Sequence, residues 1–307
     1  MTSLNKPRVL IFAPVMDSLT EKLEQQFSIE KYFEHDDPQA FLAKNGQGIV
    51  GVVTRGDVGV NNGVLEHLTD LKVISVFGVG TDSIDLKYAA DKKIQVEITE
   101  GVLTDDVADM ALALLLATAR NICQADKFVR DGQWLNGGFP LSTKISGKRL
   151  GIFGMGQIGQ AIARRASGFD MSIAYASNHE KPELPYQFVA DIKQLAKQVD
   201  VLVIAVSGGA QSAGIIDQSI FSALPDSAIV INISRGSVIN QNDLIHALQN
   251  KQIAGAGLDV FAEEPQVPHE LIAMPHVVLQ PHVGSATHET RQAMSEKVLA
   301  NLHKHLD

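Results

Sequence analysis

Short apolar runs bounded by polar or glycine-containing segments recur along this chain, and they alternate with stretches in which apolar residues return every three or four positions. Strands are predicted at Arg8–Ala13, Ile49–Thr54, Lys72–Val76 and Ile94–Glu97, with helices near Asp17–Phe27, Gln39–Lys44, Asn62–His67 and Asp85–Asp91 between them. A second series follows at Leu150–Phe153, Ser172–Ala176, Val201–Val206, Ala228–Ile233, Ala254–Asp259 and Val277–Leu279, again with helices between the runs. Such alternation predicts parallel sheets covered by helices. One long helix, from about Thr104 to Arg130, separates the two series, and a last helix runs from about His288 to His303.

The most informative junction joins the run Leu150–Phe153 to Gly154-Met155-Gly156-Gln157-Ile158-Gly159 and then to an alanine-rich helix, Gln160–Ser167. Each glycine has its own reason: Gly154 permits the tight turn, Gly156 lets backbone approach a pyrophosphate, and Gly159 lets helix pack on strand. The helix N-terminus then turns free N–H groups toward an anion. The predicted fold class is α/β, with two Rossmann/flavodoxin-like parallel-sheet domains and a cleft between them. Residues 1–99, to which 287–307 return, form one expected domain, and 100–286, with the glycine loop, the dinucleotide-binding one.

Composition narrows the function. The 307 residues are 45% hydrophobic and 20% charged, which suits a globular protein of two domains. A formal charge of −9 argues against nucleic acid or an anionic membrane surface as the main partner. The single cysteine, Cys123, forms no internal disulfide and fits a reducing cytoplasm. Met110–Ala119 is apolar but too short to cross a bilayer, and reads as a buried helix.

Three segments supply candidate chemistry, each at or just beyond a strand's C-terminal end, where such folds present functional groups. Asn232-Ile233-Ser234-Arg235-Gly236 delivers Arg235, whose guanidinium can grip a carboxylate bidentately; a surface arginine is the equal alternative. Leu258–Pro265 carries Asp259 and Glu264, and Leu279–Ser285 carries His282. A histidine beside a carboxylate keeps its proton near neutrality and can pass it to a developing alkoxide, so Glu264 and His282 form a candidate pair. His269, His276 and His288 compete on spacing, but Pro281 and Gly284 shape a tight turn around His282 alone.

These residues carry a family resemblance. The stretches Val102–Asp109, Gly147–Ile152 with the glycine loop, Asn232–Gly236, Leu258–Phe261 through Glu264-Pro265, and Pro281–Thr287 resemble, in order, the D-isomer-specific 2-hydroxyacid dehydrogenases, within them the glyoxylate/hydroxypyruvate and hydroxyphenylpyruvate reductases. The resemblance implies reduction of a small 2-keto acid to the D-2-hydroxy acid, with His282 as acid/base, Glu264 its partner and Arg235 the ligand of the substrate's carboxylate and carbonyl. It implies that the first domain, 1–99 closed by 287–307, is the substrate-binding one, that the Val79 and Gly80 amides also meet the carboxylate, and that the protein is a homodimer built around the long-helix region. Thr104 and Asp259 are placed at the nicotinamide end, with a helix cap and a strand-end turn as alternatives; Ile233 is assigned to the cofactor. Arg55 and Phe77 are placed at the substrate entrance, with core or surface positions equally open.

The second strand of the glycine-loop series ends Ala176-Ser177-Asn178 without the acid that NAD-specific sites use for the ribose hydroxyls. Ser177 and Asn178 can donate to a 2′-phosphate, so NADP(H) is expected over NAD(H), although Asn178 stands where NADP-preferring relatives commonly carry arginine. A nucleotide-sensing interaction protein on the same scaffold, resembling the family's corepressors, is the alternative from another class. Formate-dehydrogenase-like chemistry is disfavoured because Glu264, not glutamine, precedes Pro265, and a phosphoglycerate dehydrogenase with an added regulatory domain because the sequence stops at Asp307.

Overall fold

The computed structural model describes residues 6–307. The chain divides into two compact units, Met1–Leu103 with Thr287–Asp307, and Thr104–Ala286. The boundary lies at Leu103–Thr104 rather than at 99–100, because the helix that begins at Thr104 packs on the second unit's strands.

In the first unit, β1 (Arg8–Ile11), β2 (Ser28–Lys31), β3 (Ile49–Arg55), β4 (Val73–Phe77) and β5 (Gln95–Glu97) form a parallel sheet in the order β2-β1-β3-β4-β5. This is the flavodoxin-type doubly wound order. The inner strands β3 and β4 are covered on both faces, which is why they read as near-continuous Val and Ile runs rather than alternating ones. The C-terminal helix His288–Leu306 starts at a Thr287 cap, whose hydroxyl accepts from Thr290 N at 3.1 Å. It docks on this sheet, with the Ser75 hydroxyl donating to Val298 O at 3.4 Å and the Asn301 amide to Ile98 O at 3.3 Å.

The second unit holds β6 (Arg149–Phe153), β7 (Ser172–Ala176), β8 (Gln187–Phe188), β9 (Val201–Ile204), β10 (Ile229–Asn232), β11 (Gly255–Leu258) and β12 (Val277–Leu279). Their order is β12-β11-β10-β9-β6-β7-β8, all parallel. The chain winds outward from β6 in both directions, so the glycine loop after β6 opens at the topological switch point.

Two strands escaped the sequence pattern. The edge strands β2 and β8 are short and bury none of their residues fully, so neither has an apolar run to betray it. The second sheet thus has seven strands, where the pattern predicts six. The predicted long helix is also two helices, Thr104–Ala119 and Ile122–Arg130, broken where Asn121 turns left-handed at φ 51° and ψ 42°. Asparagine tolerates that conformation at low cost, and helices commonly end on it. The first helix buries Val107, Ala111, Leu114 and Leu115 beside β10 and β11, whereas the second buries no residue. Among the described residues no helix is long and apolar enough to cross a membrane.

Candidate active site

The glycine loop has the geometry its sequence requires. Gly154 adopts φ +103°, and a Cβ there would stand 2.6 Å from the Ala205 backbone; one at Gly159 would stand 2.1 Å from Gly154 O. Either position admits glycine alone. Gly156 differs, because a Cβ built on it meets nothing within 4 Å. The space over Gly156 is therefore open at the N-terminus of helix Gln157–Ser167, where the capping position is a glycine and brings no side chain of its own to the first N–H groups. This tight base with an open top fits a pyrophosphate. Met155 and Ile233 are buried, so a ligand meets chiefly their backbone.

Thr104 touches the same loop: its hydroxyl donates to Gln157 Oε1 at 3.4 Å. It is the first residue of its helix rather than a capping residue. At the end of β7, Ser177 spends its hydroxyl on His179 O at 2.6 Å, so the expected donation to a phosphate requires that bond to exchange. Asn178 is exposed beside it.

The three catalytic candidates lie at the carboxyl ends of β10, β11 and β12. After β10, buried Asn232 ties the turn together: its amide donates to Arg235 O at 3.0 Å and its Oδ1 accepts from Ser234 N at 3.0 Å. Arg235 then extends from the turn, half-buried, with Nη1 donating to Ser234 O at 2.9 Å. Gly236 follows because a Cβ there would lie 1.9 Å from the Phe261 carbonyl. Sequence reasoning noted that glycine but not its cause, a close approach of the β10 and β11 exits.

Glu264 is held from both sides. Its Oε1 accepts from Phe261 N at 2.9 Å, and its Oε2 meets His282 Nδ1 at 2.6 Å. His282 itself sits at φ +55°, an uncommon conformation for a residue with a Cβ, of the kind that persists where surrounding contacts over-determine it. Those contacts come from Asp259. Its carbonyl accepts from His282 N at 2.9 Å, and its two carboxylate oxygens accept from Val283 N and Gly284 N, each at 2.8 Å. Asp259 is 2% exposed. The sequence placed it at the nicotinamide; the structure gives it a prior task, holding the His282 turn, with one further lone pair on each oxygen.

The electrostatics follow from this arrangement. The hydrogen bond to Glu264 raises the His282 pKa, against burial and the nearby Arg235 charge, which lower it. Burial alone would raise Glu264, but the bonds from His282 and Phe261 N–H, with the His282 and Arg235 charges, bring it below the ordinary carboxylate value. Burial pushes Asp259 up, partly offset by the Val283 and Gly284 amides. The result is an imidazole whose protonated form is favoured and oriented by a carboxylate near a guanidinium, a set that can deliver a proton to a carbonyl oxygen while fixing a carboxylate.

In the first unit, Val79 and Gly80 follow β4. Gly78, at φ +146°, is clamped by buried Thr99: Gly78 N donates to the Thr99 hydroxyl at 3.1 Å, and Thr99 N donates to Gly78 O at 2.9 Å. The Val79 and Gly80 N–H groups make no hydrogen bond among the described residues.

Residues 112–284 match the family model described as D-isomer specific 2-hydroxyacid dehydrogenase, NAD binding domain. The chain is 44% identical to a 2-ketogluconate reductase of Gluconobacter oxydans and 41% identical to a hydroxyphenylpyruvate reductase of Plectranthus scutellarioides, each alignment covering 97% of this chain and 95% of the relative. Among solved structures it is similar to an NADPH-dependent glyoxylate/hydroxypyruvate reductase from Sinorhizobium meliloti in complex with NADP and malonate, with TM-score 0.92 and 37% identity over 97% of this chain and 93% of that one. A pyridine-nucleotide cofactor is supported on both counts, and the interaction-protein alternative has no support.

Proposed function

We propose, from the premise that the chain belongs to the D-isomer specific 2-hydroxyacid dehydrogenase family, that it reduces a small 2-keto acid to the D-2-hydroxy acid with NADP(H) favoured over NAD(H). The observation that carries this reading is the His282–Glu264 pair at 2.6 Å, with Arg235 close enough to affect both pKa values, on the sheet that bears the glycine loop. The loop Gly154–Gly159 would hold a reduced nicotinamide dinucleotide, which would supply the hydride. Arg235 takes the substrate's carboxylate and leans on its carbonyl oxygen, and the Val79 and Gly80 amides take the carboxylate's remaining lone pairs. His282 gives its Nε2 proton to the oxygen as C2 accepts the hydride, and Glu264 stabilises the imidazolium until that moment. The neutral imidazole then recovers a proton from solvent.

Ala176, Ser177 and Asn178 support NADP(H), since no carboxylate stands at the end of β7 to repel a 2′-phosphate. Thr104 and the outer lone pairs of Asp259 are assigned to the nicotinamide end, and Gln157 and Ile158 to the pyrophosphate side. A homodimer is supported by Trp134, Leu135 and Leu141, which are 68%, 91% and 99% exposed beyond helix Ile122–Arg130. Cytoplasmic residence is consistent with the single, unpaired Cys123.

The test is NADPH and NADH oxidation with glyoxylate, hydroxypyruvate, pyruvate, hydroxyphenylpyruvate and 2-ketogluconate. Turnover of at least one of these, faster with NADPH, is expected, and Ala176→Asp shifts the preference toward NADH. A wild type that prefers NADH, with no shift in Ala176→Asp, overturns the cofactor assignment.

A further inference from the structure

The strand ends of the first unit carry a pair of cations that the mechanism does not use. β3 ends at Arg55 and β4 at Phe77, register partners in the sheet. The Arg55 guanidinium holds Asp57 through two nitrogens, Nε at 2.9 Å and Nη2 closer. Arg291, in the first turns of helix His288–Leu306, lies half-buried with its guanidinium carbon 5.5 Å from the centroid of the Phe77 ring. No carboxylate or carbonyl accepts a hydrogen bond from its guanidinium among the described residues.

Arg291 is poorly placed for an arginine with only a structural part. Burial and the Arg55 charge both lower its pKa, opposed by Asp57. The positive end of the helix dipole adds to the strain. One carboxylate, already engaged by Arg55, thus faces two guanidiniums. The surplus charge lies close to the loop assigned to the substrate: Gly56 packs so tightly that a Cβ on it would stand 3.2 Å from Gly80 N. An aromatic ring backs the site and keeps water from one side of Arg291.

We infer that Arg291, with Arg55, forms a second anion subsite that takes the distal carboxylate of a dicarboxylic 2-keto acid. The inference rests on the 2-keto acid reading above and names a substrate class within it. A full negative charge is favoured over a neutral tail because charge-assisted bonds to guanidinium are about twice as strong as neutral ones. A polyhydroxy tail leaves the surplus charge in place, and an aromatic tail competes with Arg291 for the face of Phe77.

The experiment compares pairs of equal carbon number, oxaloacetate against 2-ketobutyrate and 2-ketoglutarate against 2-ketovalerate, in wild type, Arg291→Gln and Arg291→Lys. For at least one pair, wild-type kcat/KM favours the dianion by roughly tenfold or more, the scale of one charge-assisted contact. Arg291→Gln abolishes that preference and Arg291→Lys keeps part of it. Equal wild-type efficiencies within both pairs, or a preference that survives in Arg291→Gln, overturn the inference and leave the reductase reading standing. If no 2-keto acid is turned over, the reductase reading fails and calorimetric titration decides the subsite. With oxidised NADP present, tighter binding of 2-ketoglutarate than 2-ketovalerate, lost in Arg291→Gln, sustains it; equal binding overturns it.

Discussion

The ends of the two sheets are prepared for ligands in opposite ways. In the second unit, Asn232, Asp259 and Glu264 each spend their polar atoms on neighbouring backbone or on His282, so the proton donor is held by a closed network. In the first unit, the Val79 and Gly80 amides and the Arg291 guanidinium make no such bonds among the described residues. Chemistry needs a donor fixed before the substrate arrives, because orientation set in advance costs nothing at the barrier. Recognition instead gains from groups whose bonds are completed by the ligand. Damage to the network around His282 should therefore fall on kcat, and damage to the first unit's open groups on KM.

The largest effect expected is His282→Ala, with kcat lower by about 10²-fold or more, the scale of a lost general acid. An unchanged KM for the cofactor distinguishes this from unfolding, and a near-wild-type kcat would break the comparison at its base. Asp259→Asn comes next. An amide in place of that carboxylate accepts from one of Val283 N and Gly284 N and sets its own N–H₂ against the other, so stability falls by about 1–3 kcal/mol. Because His282 is held at φ +55° by the same contacts, kcat should fall roughly tenfold as well. Thermal melts and single-turnover rates read the two effects separately.

Glu264→Gln changes the pH dependence. The His282 pKa is raised in the fold, so its pairing stabilises fully below the ordinary imidazole value and is lost as pH rises through the raised one. The Glu264 pKa is lowered, so its share is present above the ordinary carboxylate value and lost as pH falls through the lowered one. The charged pair occupies the interval between those two limits. Reduction requires protonated His282, so its alkaline limb moves to lower pH in Glu264→Gln; profiles that overlay those of the wild type would uncouple the pair. The smallest effect is Thr99→Val in the first unit, which removes the hydroxyl on Gly78 N while keeping the buried volume. KM for the keto acid should rise a fewfold, roughly the worth of one hydrogen bond, with kcat little changed. A fall in kcat instead would erase the distinction between the two units.

Much of this was legible from residue types alone, for reasons that differ by element. The inner strands announce themselves because burial on both faces demands an apolar run, and the glycine loop because backbone crowding at Gly154 and Gly159 excludes any Cβ. The edge strands β2 and β8 and the break at Asn121 were not legible, since each depends on a neighbour or on a helix losing its packing partner. Likewise the sequence nominates His282 and Glu264 but does not show that Asp259 anchors the turn between them, or that Gly236 yields to the Phe261 carbonyl.

What the sequence determined by itself is therefore the set of local constraints: two series of alternating strands and helices, a phosphate-sized turn, and titratable residues just past strand ends. Those constraints act over a few residues, through hydrophobic period and backbone sterics. Only the tertiary structure decided which polar atoms are already spent and which remain to be met, as in the contrast between Asp259 and Arg291. That is because a hydrogen-bond partner is set by distance in space, and the partners here come from strands far apart in the chain.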